Sequence, residues 1–109
     1  PSSPLTRHMI NEKTLAYMRP NAYLINTSRG DVIDEKALIK FLKKGLIAGA
    51  GLDVYEHEPA VPEELIAMDN AVLLPHLGSA TEETRVAMGM RVLGNLNAFF
   101  NGEDPPDML

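Results

Sequence analysis

Three polar side chains, each at the end of a strand-like run, form a candidate catalytic set. Arg29 closes the run AYLINTSR, Glu58 closes GLDVYEHE, and His76 closes AVLLPH. In an open parallel α/β sheet, ligands bind outside the carboxyl ends of the strands, so these side chains are predicted to meet at one edge. An arginine there can clamp a carboxylate, and a histidine beside an acid can move a proton. The set therefore predicts reduction or oxidation of a small 2-oxo or 2-hydroxy acid.

Arg29 and His76 each also have a purely structural interpretation. Arginine offers a planar fork of donors that matches a carboxylate, and Gly30 permits a tight turn after Arg29. The alternative is a surface ion pair of Arg29 with Asp31 or Asp34. Histidine suits proton transfer near neutral pH, but a lone histidine is often simply packed at a strand end. The residue types alone leave both alternatives open.

The acidic residues after the second strand-like run differ in their predicted roles. A carboxylate hydrogen-bonded to a histidine favours the imidazolium form, so Glu58 beside His76 would prepare it to donate a proton to a carbonyl oxygen. Glu56 shares the loop, and we interpret it as a solvated acid. Asp53 lies at an apolar strand end, where a buried carboxylate needs partners. It is predicted either to cap a nearby helix or turn, or to accept a hydrogen bond from a cofactor amide.

The segments that carry these residues alternate between helix and strand patterns. This alternation predicts an α/β fold, a parallel sheet with right-handed crossovers and flanking helices, followed by a long C-terminal helix. Asp34 and Thr81 are good N-caps, and Gly49 and Gly51 predict close approach of a neighbouring backbone or helix to the second strand. The predicted helices are 12–18, 35–44, 63–68 and 82–100, and the predicted strands are 22–26, 47–54 and 71–74.

Composition excludes several function classes. The 109 residues carry a formal net charge of −5, which argues against a nucleic-acid surface. Absence of cysteine excludes disulfides and thiolate nucleophiles, and no ligand spacing predicts a metal site. No apolar run could span a membrane, so we expect a cytoplasmic protein. Because the chain starts at Pro1 and lacks a G-x-G-x-x-G turn, we expect a C-terminal piece of a larger protein.

Three segments resemble the signatures of the D-isomer-specific 2-hydroxyacid dehydrogenases. The family's arginine, acid and histidine signatures resemble, in order, MRPNAYLINTSRGDVIDEKAL, AGAGLDVYEHEP and LLPHLGSAT. They follow family order at family-like spacing, and the resemblance covers essentially the whole chain. It implies that residues 1–109 are the C-terminal portion of a Rossmann-like dinucleotide-binding domain. The glycine-rich phosphate loop and the substrate domain would then lie outside this chain.

The resemblance also implies roles for individual residues. Arg29 would bind the substrate carboxylate and carbonyl, His76 would be the acid and base, and Glu58 would orient and charge it. The cofactor would be NAD or NADP, and the overall look is closest to the glyoxylate/hydroxypyruvate reductases. The intact protein is expected to be a homo-oligomer, a dimer, whereas the isolated 109 residues are expected to be inactive. The predicted cofactor contacts are Pro1, Thr27, Ser28, Arg29, Asp53, His76, Leu77, Gly78 and Ser79.

Two other function classes remain open at this stage. An NAD(H)-sensing corepressor of the C-terminal-binding-protein type resembles the same fold and keeps the same three residues, so the three residues do not exclude it. A truncated domain that only oligomerises is the second alternative, because an exposed sheet edge and apolar helix faces favour self-association.

Overall fold

The computed structural model describes residues 2–108, and its elements follow the predicted alternation. Three parallel strands form one sheet in the order β1-β2-β3. The strands are β1 Tyr23–Asn26, β2 Gly49–Leu52 and β3 Ala71–Leu73. The helices are α1 Glu12–Leu15, α2 Glu35–Lys43, α3 Glu63–Ile66 and α4 Glu82–Phe100, and a single 3₁₀ turn, Gly30–Val32, follows β1. The α/β class, the flanking helices and the long C-terminal helix are therefore confirmed.

The described residues divide into two compact units, 2–76 and 77–108. The first unit holds the whole sheet and the apolar core. The second unit consists of α4 and its flanking segments. Within it, the Thr81 hydroxyl accepts the Thr84 N–H at 3.2 Å and so begins α4, as the N-cap pattern predicts. The Arg91 guanidinium donates to both carboxylate oxygens of Asp107, which ties the tail to the helix.

Helix α2 is the main packing element of the first unit. The Asp34 carboxylate accepts the Ala37 N–H at 3.1 Å and begins the helix, and Gly45, with φ of 63°, follows its end. The apolar side chains of α2 recur on one stripe, and Leu38 in its centre is fully buried. The stripe packs with residues from every other element of this unit, chiefly Leu15, Leu24, Ile47, Leu52, Leu65 and Leu73. Each fully buried leucine or isoleucine stabilises the fold by about 1.5–3 kcal/mol.

The strand register decides which side chains share an edge of the sheet. Asn26 pairs with Leu52, and Leu52 pairs with Leu73, so all three strands end at the same level. The loops that follow them therefore leave from one edge. Close packing of the strands depends on small residues in β2, because a Cβ on Gly49 would lie 2.7 Å from the Asn70 carbonyl oxygen. The predicted close approach of a backbone to β2 is confirmed.

Two element boundaries differ from the sequence prediction. Helix α1 ends at Leu15, not at residue 18. The approaching Pro20 explains this, since proline disfavours helical backbone in the residue before it. Strand β2 covers only 49–52 of the predicted 47–54, although Ile47 and Val54 are both buried in the first unit. Burial at these positions produces the apolar pattern of a strand without the ladder hydrogen bonds of one.

The second face of the sheet is open in the first unit. Tyr23, Ile25 and Val72 project from it and are about two-thirds exposed. They border a cavity of about 550 Å³ whose floor is formed by the small residues of β2. Among residues 2–108, no helix is both long enough and apolar enough to cross a membrane.

Candidate active site

The structure brings Glu58 and His76 into direct contact. Glu58 lies on the loop after β2, and His76 follows β3 by three residues. The His76 Nδ1 donates to Glu58 Oε2 at 2.8 Å, across 18 positions of sequence. Both side chains remain partly open to solvent, and a cavity of about 170 Å³ beside them is lined by Tyr55, Pro59, Val61 and Pro75. The predicted acid–histidine pair is thus formed next to space for a small molecule.

Tyr55 connects the two segments that carry this pair. Its backbone N–H donates to Glu58 Oε1 at 3.0 Å, and its hydroxyl donates to the Leu74 carbonyl at 2.8 Å. The same hydroxyl lies 3.2 Å from the Leu52 carbonyl. Burial raises the pKa of Tyr55, which keeps the hydroxyl protonated as a donor. Tyr55 therefore ties the loop after β2 to the segment that leads to His76.

The electrostatics of the site favour an ionised Glu58. The hydrogen bond from His76 is the largest cause that lowers the pKa of Glu58, followed by the bond from the Tyr55 N–H. The charges of His76 and Arg29 lower this pKa further, and burial opposes them. Because the folded pKa is depressed, this carboxylate stabilises the fold above its unfolded pKa, and that contribution is lost as pH falls through the folded value. Arg29 thus acts on the same carboxylate that holds His76.

Arg29 is positioned by Asn26, the last residue of β1. The buried Asn26 amide oxygen accepts the Ser28 N–H at 3.0 Å and the Ser28 hydroxyl at 2.8 Å. Its amide nitrogen donates to the Arg29 carbonyl at 2.9 Å. Among residues 2–108, Arg29 forms no ion pair with Asp31 or Asp34, so that alternative is wrong. The guanidinium is exposed and donates to the Ser28 carbonyl at 2.7 Å.

Gly30 packs the arginine turn directly against the loop that carries Glu58. A Cβ at position 30 would lie 1.9 Å from the Tyr55 carbonyl carbon and 2.4 Å from the Glu56 backbone nitrogen. We expected Gly30 to serve a tight turn, but its backbone is not in the left-handed region. The glycine is required because two stretches of backbone touch there. Arg29 and Glu58 are consequently fixed relative to each other.

His76 adopts an unusual backbone conformation, with φ of 56°. Left-handed backbone is uncommon for residues other than glycine and costs roughly 1–2 kcal/mol. Strained residues of this kind cluster at functional sites, where the surrounding structure holds them in place. Here the Glu58 bond and the Tyr55–Leu74 bond supply that support.

The predicted cofactor contacts fall into three groups. Thr27 and Asp53, which follow β1 and β2, both line the cavity on the open face, and Asp53 is buried. The Ser28 hydroxyl instead donates to Asn26. Pro1 lies outside the described residues. The remaining predicted contacts follow His76 in the second unit and stay predictions; they are Leu77, Gly78 and Ser79.

One interpretation of the loop is wrong. We expected Glu56 to be a solvated acid, but its side chain is only 12% exposed. Its carboxylate accepts hydrogen bonds from Arg7 and His8. The structural roles of Asn26 and Tyr55 were also not predicted. An asparagine at a strand end before a turn is a usable signal for Asn26, because its side chain can mimic a backbone turn.

Comparison with known proteins gives a consistent result. The family model described as D-isomer specific 2-hydroxyacid dehydrogenase, NAD binding domain, matches residues 1–78. A glyoxylate reductase from Thermococcus litoralis is 59% identical over 109 residues, which cover 97% of this chain and 33% of that protein. The chain therefore spans about a third of the length of this relative.

Two solved structures illustrate the structural similarity. An NADPH-dependent glyoxylate/hydroxypyruvate reductase from Sinorhizobium meliloti, solved with NADP and malonate, matches with a TM-score of 0.90 and 47% identity. The match covers 92% of this chain and 31% of that one. A D-lactate dehydrogenase from Lactobacillus jensenii, solved with NAD+, matches with a TM-score of 0.88 and 33% identity, covering 100% and 37% of the two chains.

Proposed function

The chain belongs to the D-isomer-specific 2-hydroxyacid dehydrogenase family, and we propose that the full-length protein is a 2-oxoacid reductase. It transfers a hydride between NAD(H) or NADP(H) and a small 2-oxo or 2-hydroxy acid of the glyoxylate or hydroxypyruvate type. The observation that carries this proposal is the 2.8 Å bond between His76 and Glu58, with Arg29 acting on the same carboxylate. The similarity to enzymes named glyoxylate reductases supports the substrate class. A corepressor role is not favoured.

The residues at the carboxyl ends of the strands fit a nicotinamide dinucleotide. Ligands bind at this edge in open α/β sheets, and Thr27 and Asp53 line one cavity there. The Asp53 carboxylate can accept from a carboxamide N–H, and the Thr27 hydroxyl can donate or accept. The bound dinucleotide supplies the hydride. We propose that this chain forms the C-terminal part of the cofactor domain.

The proton chemistry belongs to His76. Because Nδ1 donates to Glu58, exchange of a proton with substrate falls to Nε2. In the direction of reduction, imidazolium donates this proton to the forming alkoxide, and the ionised Glu58 stabilises the charged ring. In the direction of oxidation, neutral His76 removes the hydroxyl proton. Reduction is therefore expected to fall, and oxidation to rise, as pH increases through the titration of His76.

Arg29 binds and orients the substrate. Its planar fork of donors matches the substrate carboxylate, and its positive charge stabilises negative charge that develops on the carbonyl oxygen. The Asn26 and Gly30 contacts hold the turn that presents it. A fixed guanidinium also aligns the carbonyl with the histidine, and such orientation lowers the barrier.

The test is a steady-state assay of the full-length protein with glyoxylate and hydroxypyruvate, using NADH and NADPH in parallel. Arg29→Lys should lower kcat/KM about 10- to 100-fold, mostly through KM, because the bidentate fork is lost. His76→Asn should lower kcat about 10²- to 10⁴-fold, because the proton donor is removed. Arg19→Lys, at an exposed position outside the site, is the matched control. Near-normal turnover in either site variant, or no reduction by the wild type, contradicts the proposal.

A further inference from the structure

Glu56 is held from two sides of the first unit by side chains distant in sequence. Its Oε1 accepts from His8 Nε2 at 2.7 Å and from Arg7 Nη2 at 3.2 Å. Its backbone N–H donates to Glu35 Oε1 at 2.8 Å, on the first turn of α2. The groups that face Glu56 are thus two bases from the N-terminal segment and one acid from α2, and His57 follows it in the loop.

The residues that follow Glu56 have much weaker anchorage. His57 and Pro59 are exposed, and the Glu58 side chain is 35% exposed. Glu58 receives its second hydrogen bond from the backbone N–H of Tyr55, the residue that precedes Glu56. The position of the Glu58 carboxylate therefore depends on where the 55–56 peptide lies, and the Glu56 contacts hold that peptide from the side opposite Gly30.

We propose that Glu56 is a positioning residue for the reaction, and that its bonds to Arg7 and His8 fix the loop that presents Glu58 to His76. The inference rests on the proposed function for its kinetic consequences. Two residues separate the anchor from the acid, so loss of the anchor displaces Glu58 without removing any group that touches substrate. A role confined to folding would lower the amount of active protein without changing how the site titrates.

The kinetic experiment uses the full-length protein and measures reduction across a pH series. Glu56→Ala should lower kcat at least about tenfold, because a misplaced acid no longer supports the charged imidazole. The alkaline limb of the pH profile should move to lower pH, and KM should change less than kcat. Glu56→Gln, which keeps an acceptor oxygen at the same reach, should restore most of the rate. Glu64→Ala, which removes an exposed acid paired with Lys43 on α3, is the control.

A second readout needs no substrate. Carboxyl NMR of the full-length protein should find the pKa of Glu58 below its ordinary value in the wild type and in Glu64→Ala, and closer to that value in Glu56→Ala. Arg7→Ala, at a 56% exposed side chain, should fold and shift this titration in the same direction by a smaller amount. If the Glu58 titration and the pH profile both match the wild type in the Glu56 and Arg7 variants, the proposal is overturned. Failure of the wild type to reduce 2-oxo acids would instead refute the proposed function, and the NMR titration would still decide the role of Glu56.

Discussion

Gly30→Ala tests whether the arginine turn and the acid loop are mechanically coupled. The added Cβ would start 1.9 Å from the Tyr55 carbonyl carbon, whereas ordinary contact begins near 3.4 Å. One of the two backbone stretches must therefore retreat by about 1.5 Å. Both neighbours are backbone atoms rather than flexible side-chain ends, so the cost lies at the upper end of the range for overpacking, about 3 kcal/mol.

The same displacement predicts a large loss of activity. A shift of about 1.5 Å carried along the loop breaks the 2.8 Å bond between Glu58 and His76, and misplacement by about 1 Å can lower rates about 100-fold. We therefore expect kcat/KM of the full-length protein to fall about 100-fold, together with a clear drop in the thermal unfolding midpoint. Both quantities are measured on the same preparations, by steady-state kinetics and by calorimetry.

A second glycine provides a control of opposite sign. Gly89 lies inside α4, and a Cβ there would meet no atom within 4 Å in the described part of the chain. Alanine in a helix interior is favoured over glycine by about 0.5–1 kcal/mol. Gly89→Ala should thus leave kcat/KM unchanged and raise stability slightly. If Gly30→Ala kept wild-type kinetics and thermal stability, the coupling inferred from the backbone contact would be refuted.

Two further predictions concern stability and are checked by unfolding experiments. Leu38→Ala, in the centre of the core, should cost about 2–5 kcal/mol, whereas Leu5→Ala, at a 91% exposed residue, should cost almost nothing; equal effects would contradict the assigned core. Burial chiefly, and the Glu56 charge to a smaller extent, raise the pKa of Glu35, so its ionisation lowers stability as pH rises from the unfolded pKa through the folded one. Glu35→Gln should therefore be more stable than the wild type above that window and equal to it below, with an oxygen still present to accept the Glu56 N–H; greater wild-type stability at neutral pH would show that the sign is wrong.

Sequence patterns predicted the order of elements and the meeting of Glu58 with His76. This succeeded because apolar runs that end in a polar residue have a defined place in a parallel sheet, at the carboxyl edge. The alternation of helix and strand then requires that successive strand ends lie on the same side. Residue type decided which side chain could move a proton and which could bind a carboxylate.

The environment of the loop acids could not be predicted in the same way. Glu56 and Glu58 are two residues apart, and loop composition gives no period from which to assign burial. The partners of Glu56, Arg7 and His8, lie about 50 positions earlier and are brought to it only by the folded unit. The reason for Gly30 was hidden for the same cause, since close contact between two backbones leaves no mark except the absence of a side chain.

The backbone of His76 has a consequence for laboratory evolution. A residue without a Cβ would relax the positive φ of this position, yet it would remove the imidazole. Selection for thermal robustness alone would therefore favour glycine here and discard the chemistry, whereas selection for turnover would retain histidine at a thermodynamic disadvantage. Libraries of this protein screened by heat tolerance should be expected to lose the proton donor unless position 76 is held constant.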